Sequence, residues 1–254
     1  MKKNKIFFIF LIIFAFQLVH SQNPTAYEFQ WPKPNPKLIL DNDYFLLGTL
    51  GDYLGRYKTK NDDFIDDYYK GETLLISYIM NMYHDEFPEF IVEKNQYPYN
   101  SVTDILKSKK IAEKINSFYN YKSSGGYRVD QSIFKFKGQE LRKKMDDIAK
   151  STEPKDTVYE GTMKSNLFKT NLQKISFIIG AYSRYGEVNE NKYCIRLVNS
   201  NSKYGYCVEI LKQLKCKNIE IKIIENIPTS QLIYFEPSQE LKKYLDEYKF
   251  LRLL

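Results

Sequence analysis

Apolar and polar positions follow two different rhythms along this chain of 254 residues. Between residues 38 and 150 the apolar side chains recur mainly at helical spacing, as at Leu75, Ile79 and Tyr83, so we expect a mainly helical N-terminal half. Beyond residue 157, alternating apolar positions and β-branched residues become frequent. The pattern predicts an α+β protein whose C-terminal half, 157–254, has the element order ββαββα.

Four segments of the N-terminal half are predicted to contain helices. They are 41–57, 61–87, 101–121 and 139–151. Gly48, Gly51 and Gly55 weaken the helical pattern of the first segment, but such small residues let a second backbone approach closely. The acidic run at the start of the second segment is interpreted as a first helical turn that complements the helix dipole.

In the C-terminal half, 174–186 is rich in β-formers and is predicted to form a hairpin with 191–199, although a helix over 168–182 also fits the spacing. A helix, two strands and a final helix follow. Their order is ferredoxin-like, and over residues 190–250 it resembles that of the SPOR modules, which bind peptidoglycan in exported bacterial proteins. The resemblance rests on element order without a specific motif, and it implies a binding surface on the sheet face that includes Arg196.

The stretch "NSNS", residues 199–202, lies between a predicted strand and a predicted helix. Asn and Ser are favoured at such joints because their side chains accept hydrogen bonds from the free amides of the first helical turn. The alternative is an anion site built from those amides together with Lys203.

The first residues are typical of a signal peptide. Lys2, Lys3 and Lys5 precede a nearly unbroken apolar run from Ile6 to Val19, and a polar segment follows. We predict cleavage of 1–21, then a proline-rich extended segment over 22–37. Two domains follow, 38–150 and 157–254, separated near "STEPKD". The mature protein is expected in the periplasm, at the cell surface or secreted, without a membrane segment.

Charge gives little sign of a nucleic-acid partner. The chain carries a net charge of +7, and loss of three lysines with residues 1–21 lowers it to +4. The remaining lysines are spread along the chain, so nucleic acid is not expected as a partner.

Cysteine and histidine limit the chemistry. If residues 203–216 form a helix, Cys207 and Cys216 are about 13 Å apart along its axis, beyond the roughly 7 Å that a disulfide allows. Cys194 pairs with one of them, or all three are buried thiols. His84 is the only histidine after residue 21 and is interpreted as the end of a helix. No metal site and no cofactor is predicted.

Twenty-two tyrosines are the unusual feature of the composition. Those in or beside loops offer ring faces next to polar donors, a combination that suits sugars or peptides. The predicted binding residues are Tyr97, Tyr99, Tyr119, Tyr121, Tyr127, Arg128 and Arg196.

The resulting hypothesis is a non-enzymatic exported binding or scaffold protein whose ligand is glycan, cell-wall peptidoglycan or another exported protein. The alternative is a cell-wall or glycan hydrolase that uses two carboxylates and needs no histidine or metal. Its candidate acids are Asp52, Glu160, Glu187, Glu225 and Glu236.

Overall fold

A computed structural model describes residues 35–60, 62–96, 102–127, 136–151, 156–189 and 192–252 of the protein. The predicted signal peptide, 1–21, and nearly all of the proline-rich segment, 22–37, lie outside these residues and stay predictions. Among the helices that the structure describes, none has both the length and the hydropathy needed to span a bilayer.

The described residues form α-helices and antiparallel sheets. The helices are α1 (Asn42–Thr49), α2 (Thr73–Tyr83), α3 (Lys109–Asn116), α4 (Gly138–Lys150), α5 (Asn171–Tyr185), α6 (Lys203–Gln213) and α7 (Gln239–Glu247). The strands are β1 (Arg56–Lys58), β2 (Phe64–Tyr69), β3 (Ile91–Gln96), β4 (Val102–Lys107), β5 (Tyr119–Tyr127), β6 (Thr157–Met163), β7 (Gly186–Asn189), β8 (Lys192–Val198), β9 (Lys217–Ile224) and β10 (Ser230–Glu236). The α+β class predicted from the sequence is confirmed.

The same order of elements occurs twice. In the first half α1 is followed by β2, α2, β3, β4 and α3, and the sheet order is β2-β4-β3. In the second half α5 is followed by the hairpin strand β7 and then by β8, α6, β9, β10 and α7, with the sheet order β7-β8-β10-β9. In each half, one antiparallel strand separates two parallel strands that a helix connects. The third sheet, β1-β6-β5, lies outside this repeat.

The two halves meet where α1 crosses α5. A Cβ atom at Gly48 would lie 2.2 Å from the carbonyl oxygen of Phe177, and one at Gly180 would lie 2.1 Å from the carbonyl oxygen of Phe45. Because real Cβ atoms do not approach backbone oxygens so closely, each helix needs glycine at the crossing. The crossing brings together the C-terminal ends of α1 and α5, next to which the charged residues of the site lie.

The core of the second half lies between α5 and its sheet. Tyr182 of α5 contacts the rings of Tyr193 and Phe235, with ring centroids 5.5 and 6.5 Å apart. Ile195 and Ile233 are fully buried on the same face of the sheet. Alternation along β8 and β10 therefore directs one row of side chains into the core and leaves the other row on the outer face.

The first half contains more strand than the sequence predicted. The segment 61–87 was expected to be mainly helical, but 64–69 is β2 and the helix α2 begins only at Thr73. The segment 101–121 contains β4, α3 and the start of β5. Ser108 Oγ accepts from the Ile111 amide at 3.2 Å and so caps α3, which begins at Lys109, eight residues after the start of this segment. Strand pairing outweighed helical spacing in both segments.

Residues 174–184, predicted as a strand, belong to the helix α5. The strand that forms the hairpin with β8 is β7. Thr170 and Gln173 form a capping box, in which the Thr170 hydroxyl accepts from the Gln173 amide and the Gln173 side chain accepts from the Thr170 amide. The elements after β7 follow the predicted order, but β6 (Thr157–Met163) was not predicted. The division into domains 38–150 and 157–254 stays a prediction, and contacts group all of Pro36–Leu254 into one unit.

Candidate functional site

The stretch 199–202 forms a joint around one buried carboxylate. Asp52, 6% exposed and three residues after α1, accepts from the amides of Ser202 and Lys203, both at 2.8 Å. It also accepts from the hydroxyl of Ser200 at 2.7 Å. The carboxylate thus binds the free amides at the start of α6, where a negative charge complements the helix dipole.

Lys203 completes this joint from inside the protein. Its side chain is fully buried, and its amino group donates to the carbonyl oxygens of Gly48 and Leu50 at the C-terminal end of α1. Burial is the largest influence on this amine and lowers its pKa to about 8, while the nearby negative charge of Asp52 acts in the opposite direction. This geometry fits the interpretation of 199–202 as a strand-to-helix joint. The amino group of Lys203 already donates to backbone carbonyl oxygens.

Arg184 forms the matching contact from the end of α5. Its guanidinium donates to Asp66 Oδ2 at 2.7 Å and to Glu72 Oε1 at 2.9 Å, and all three side chains are nearly inaccessible to solvent. It also donates to the carbonyl oxygens of Thr49 and Asp67. Asp66, predicted as part of an acidic helical turn, therefore lies on a strand and neutralises a buried cation.

Most acids proposed for a hydrolase are engaged with neighbouring groups. Asp52 caps α6, Glu160 is 3.7 Å from Lys122, and Glu187 is 3.7 Å from Arg196. Glu236 accepts from the side-chain amide of Asn218 at 2.7 Å. Asp52 is the most buried of these acids, and its carboxylate already accepts hydrogen bonds from groups of the protein itself.

The tyrosines predicted to bind a ligand are mostly structural where the structure describes them. Tyr119 is 3% exposed, and its ring lies 6.0 Å from that of Tyr121. Tyr121 donates to Asn116 Oδ1 at 2.7 Å, and burial raises its pKa to about 12 against the effect of Arg56. Tyr127 ends β5 and is half-buried. Tyr97, Tyr99 and Arg128 lie outside the described residues.

Arg196 is on the outer face of the second-half sheet. It is 44% exposed and forms an ion pair with Glu187 of β7. The structure does not bring it together with the described tyrosines of β5, because β5 belongs to a different sheet.

A polar cavity lies between α3 and the loop after β1. We call it the lysine pocket. Its volume is about 360 Å³, and it is lined by Lys58, Thr59, Lys60, Asp62, Lys109, Glu113, Asn116 and Ser117. Lys109, Glu113 and Asn116 are four and three residues apart, so they line the cavity from one face of α3.

Hydrogen bonds within the protein fix the walls of the lysine pocket. Asp62 accepts from the amides of Thr59 and Phe64, so its carboxylate holds the loop in place. Asn116 Oδ1 accepts from both Arg56 and Tyr121, which leaves its Nδ2 hydrogens as the donors for the cavity. Lys58 lies 4.4 Å from the centre of the Tyr121 ring.

Two acids and three lysines line the pocket, so its net charge is positive. Asp62 is bound to backbone amides, and the donors among the lining groups are the lysine amino groups and the side-chain amide of Asn116. Such donors suit the oxygens of an anion. Sequence reasoning missed this site, because β1 and α3 are fifty residues apart and no motif joins them. Tyr121 is the predicted residue that borders it.

The cysteines and the histidine have no shared site. All three cysteines are free, and Cys194 and Cys207 are buried. Burial raises the pKa of the Cys207 thiol to about 12. His84 is exposed beside Asp85, directly after α2, in agreement with its interpretation as a helix end. Among the residues that the structure describes, no group of three or more His, Cys, Asp or Glu side chains is placed to hold a metal ion.

Comparisons with known proteins give only distant structural likenesses. No protein-family model matches the chain, and no curated protein matches it. One similar solved structure is described as "Structures and dynamics of mesophilic variants from the homing endonuclease I-DmoI". It has 10% identity and a TM-score of 0.44, and the match covers 84% of this chain and 97% of that chain. A second, "The crystal structure of I-DmoI in complex with DNA and Ca", has 12% identity and a TM-score of 0.40, with 82% and 86% covered.

These comparisons correct the function predicted from the sequence. The structures found are those of a nuclease, one of them bound to DNA, and neither is a glycan-binding or cell-wall protein. The hypotheses of a secreted or periplasmic glycan or scaffold protein and of a cell-wall hydrolase were wrong, as was the exclusion of nucleic acid as a partner. At this level of similarity the likeness assigns no activity to the chain.

Proposed function

We propose that this protein binds a phosphate-bearing ligand, a nucleotide or a nucleic-acid strand, in the lysine pocket. The observation that carries the proposal is the set of donors around one polar cavity, namely Lys58, Lys60, Lys109 and the Asn116 amide. Ammonium groups bind phosphate oxygens through short charge-assisted hydrogen bonds.

The dimensions of the pocket support a ligand of this class. A volume of about 360 Å³ is at the lower end of the range of ligand sites, which are roughly 300 to 1,000 Å³. Two of the lysines, Lys60 and Lys109, are exposed, so binding is expected to weaken as salt concentration rises.

The ordering of the pocket walls also supports binding. Arg56, which holds Asn116, is 5% exposed and also donates to the Ile65 carbonyl oxygen at 2.9 Å. The Asn116 amide is therefore held by a buried cation and by Tyr121. Donors fixed in advance lose less conformational entropy when a ligand binds.

The test is a binding titration with three probes, a mononucleotide, a labelled single-stranded oligonucleotide and inorganic phosphate, each at two salt concentrations. The variant Lys58→Gln/Lys60→Gln/Lys109→Gln is expected to weaken binding by at least roughly tenfold, since each charge-assisted bond contributes about 1.5–3 kcal/mol. A matched control, Lys212→Gln/Lys242→Gln/Lys243→Gln, removes three exposed lysines elsewhere.

The control separates a site from general surface charge. Equal weakening by both triple variants, or no binding of any probe to the unaltered protein, would show the proposal to be wrong. Binding of the mononucleotide with the same dependence on the lysines as the oligonucleotide would identify a nucleotide site, and binding of the oligonucleotide alone would identify a strand site. Cleavage after Ser21 stays a prediction, which the N-terminal mass of the protein purified from its source would check.

A further inference from the structure

Strand β9 is a long, exposed edge of the second-half sheet. It pairs with β10 on one side and is the last strand in the order β7-β8-β10-β9. Its eight residues, Lys217–Ile224, are exposed or half-buried throughout, and Ile221 and Ile223 are 47% and 56% exposed. An edge of this kind presents free backbone donors and acceptors to any strand that can pair with it.

The sequence of β9 is complementary to itself in the antiparallel direction. Ile219, Ile221 and Ile223 alternate with Glu220 and Lys222, and the alternation places the isoleucines on one face and the charges on the other. If two copies of the strand pair antiparallel with Ile221 opposite Ile221, Ile219 lies opposite Ile223. In the same register Glu220 of each copy lies opposite Lys222 of the other.

We propose that two copies of this protein associate through their β9 edges and form one continuous antiparallel sheet, with four strands from each copy. The interface is isologous, because the same strand contributes to both sides of a two-fold axis. Cross-strand pairs of opposite charge and pairs of β-branched residues stabilise such a sheet, and a one-residue slip would place the charges on the wrong face.

A second copy fits this edge better than an unrelated strand. The two charges are arranged so that one register satisfies both Glu220–Lys222 pairs and also joins the exposed isoleucines of β9. By contrast, β7 at the other edge of the sheet has only four residues. Glu220 also accepts from Lys192 of its own chain at 3.1 Å, a contact on the outer face that leaves the backbone edge of β9 open.

The test measures the mass of the protein in solution by light scattering over a concentration series. The unaltered protein is expected to form a dimer, and Lys222→Glu is expected to raise its dissociation constant by at least roughly tenfold, because both charge pairs become repulsive. Glu220→Lys is expected to weaken the dimer in the same way. The double variant Glu220→Lys/Lys222→Glu restores both pairs with exchanged charges and is expected to recover the dimer.

The double variant makes the test independent of folding, since a strand that merely lost stability would not be rescued by a second charge change. Ile91→Lys is the control, because Ile91 is a 53% exposed residue on β3, the edge of the other sheet, and should leave the mass unchanged. A monomer at every concentration, a dimer that withstands Lys222→Glu, or a double variant that stays monomeric would overturn the proposal.

Discussion

The two halves of this protein place residues of opposite charge at corresponding points of the same fold. In the first half, Asp52 follows α1 and reaches the start of α6 in the second half. In the second half, Arg184 lies in the last turn of α5 and reaches Asp66 and Glu72, next to the start of α2 in the first half. Charged side chains therefore cross between the halves in both directions.

The difference shows which feature the repeat preserves. The free amides at the start of a helix favour an anion, and Asp52 supplies it to α6 directly. The cation Arg184 would be repelled at the start of α2, but Glu72 lies directly before that helix and provides the negative charge between them. Each helix start thus has a carboxylate beside it, although the residues that meet this need differ between the halves.

Removal of Arg184 should have the largest effect on stability. Arg184→Met leaves the carboxylates of Asp66 and Glu72 buried without their cation, and breaking a buried ion pair in this way costs about 3–5 kcal/mol. The free energy of unfolding in urea, measured for the unaltered protein and for Arg184→Met, gives this difference.

The control is Lys242→Met, which removes a cation that pairs with Asp246 at 2.9 Å on the exposed face of α7. Such a surface pair contributes about 0–1 kcal/mol. If the two substitutions had similar effects, the buried contact of Arg184 would not hold the halves together and the comparison would fail.

Asp52→Asn should have a smaller effect, about 2 kcal/mol, because asparagine keeps one acceptor oxygen for the amides of Ser202 and Lys203 but loses the charge. Hydrogen exchange at the first turn of α6 is expected to become faster, while exchange in α2 is expected to stay the same. Equal acceleration in both helices would mean that Asp52 supports the whole fold and does not act specifically on α6.

Sequence reasoning identified the elements of the second half better than those of the first. Strand β9 and helix α6 were predicted because their alternation and helical spacing are clear over eight or more residues. Helix α5 was predicted only as the alternative to a strand because its isoleucines favour a strand, although "TNLQ", residues 170–173, carries the Thr and Gln of a capping box. That short signal outweighs β-propensity here.

The first half and the site depend on contacts that a single sequence does not show. Strand β2 contains Asp66 and Tyr68, which are buried because Arg184, more than one hundred residues later, lies against them. Gly48 was correctly expected to allow a close backbone approach, but its partner, Gly180, was not. The lysine pocket likewise joins β1 to α3, so neither segment alone predicts it.

An effect similar in size to that of Asp52→Asn concerns pH, and it follows from Lys203 alone. The amine has a pKa of about 8 in the folded protein and about 10.4 when unfolded, so between these values the unfolded chain keeps a proton that the folded protein has lost. Raising the pH through this window therefore stabilises the folded state, by up to about 1.4 kcal/mol per pH unit. Lys203→Met lacks this proton, so the unfolding free energy of the unaltered protein should rise relative to that of the variant between pH 8 and pH 10.

Subtracting the unfolding free energy of Lys203→Met from that of the unaltered protein cancels the contributions of other groups that titrate in this window. Cys207, whose pKa burial raises to about 12, and Tyr185, whose pKa burial also raises, stay protonated in both folded proteins. Their titration in the unfolded chain is common to both proteins and cancels. A difference that stays constant from pH 7 to pH 10 would mean that water reaches the Lys203 amine, and the joint between α1 and α6 would then be open to solvent.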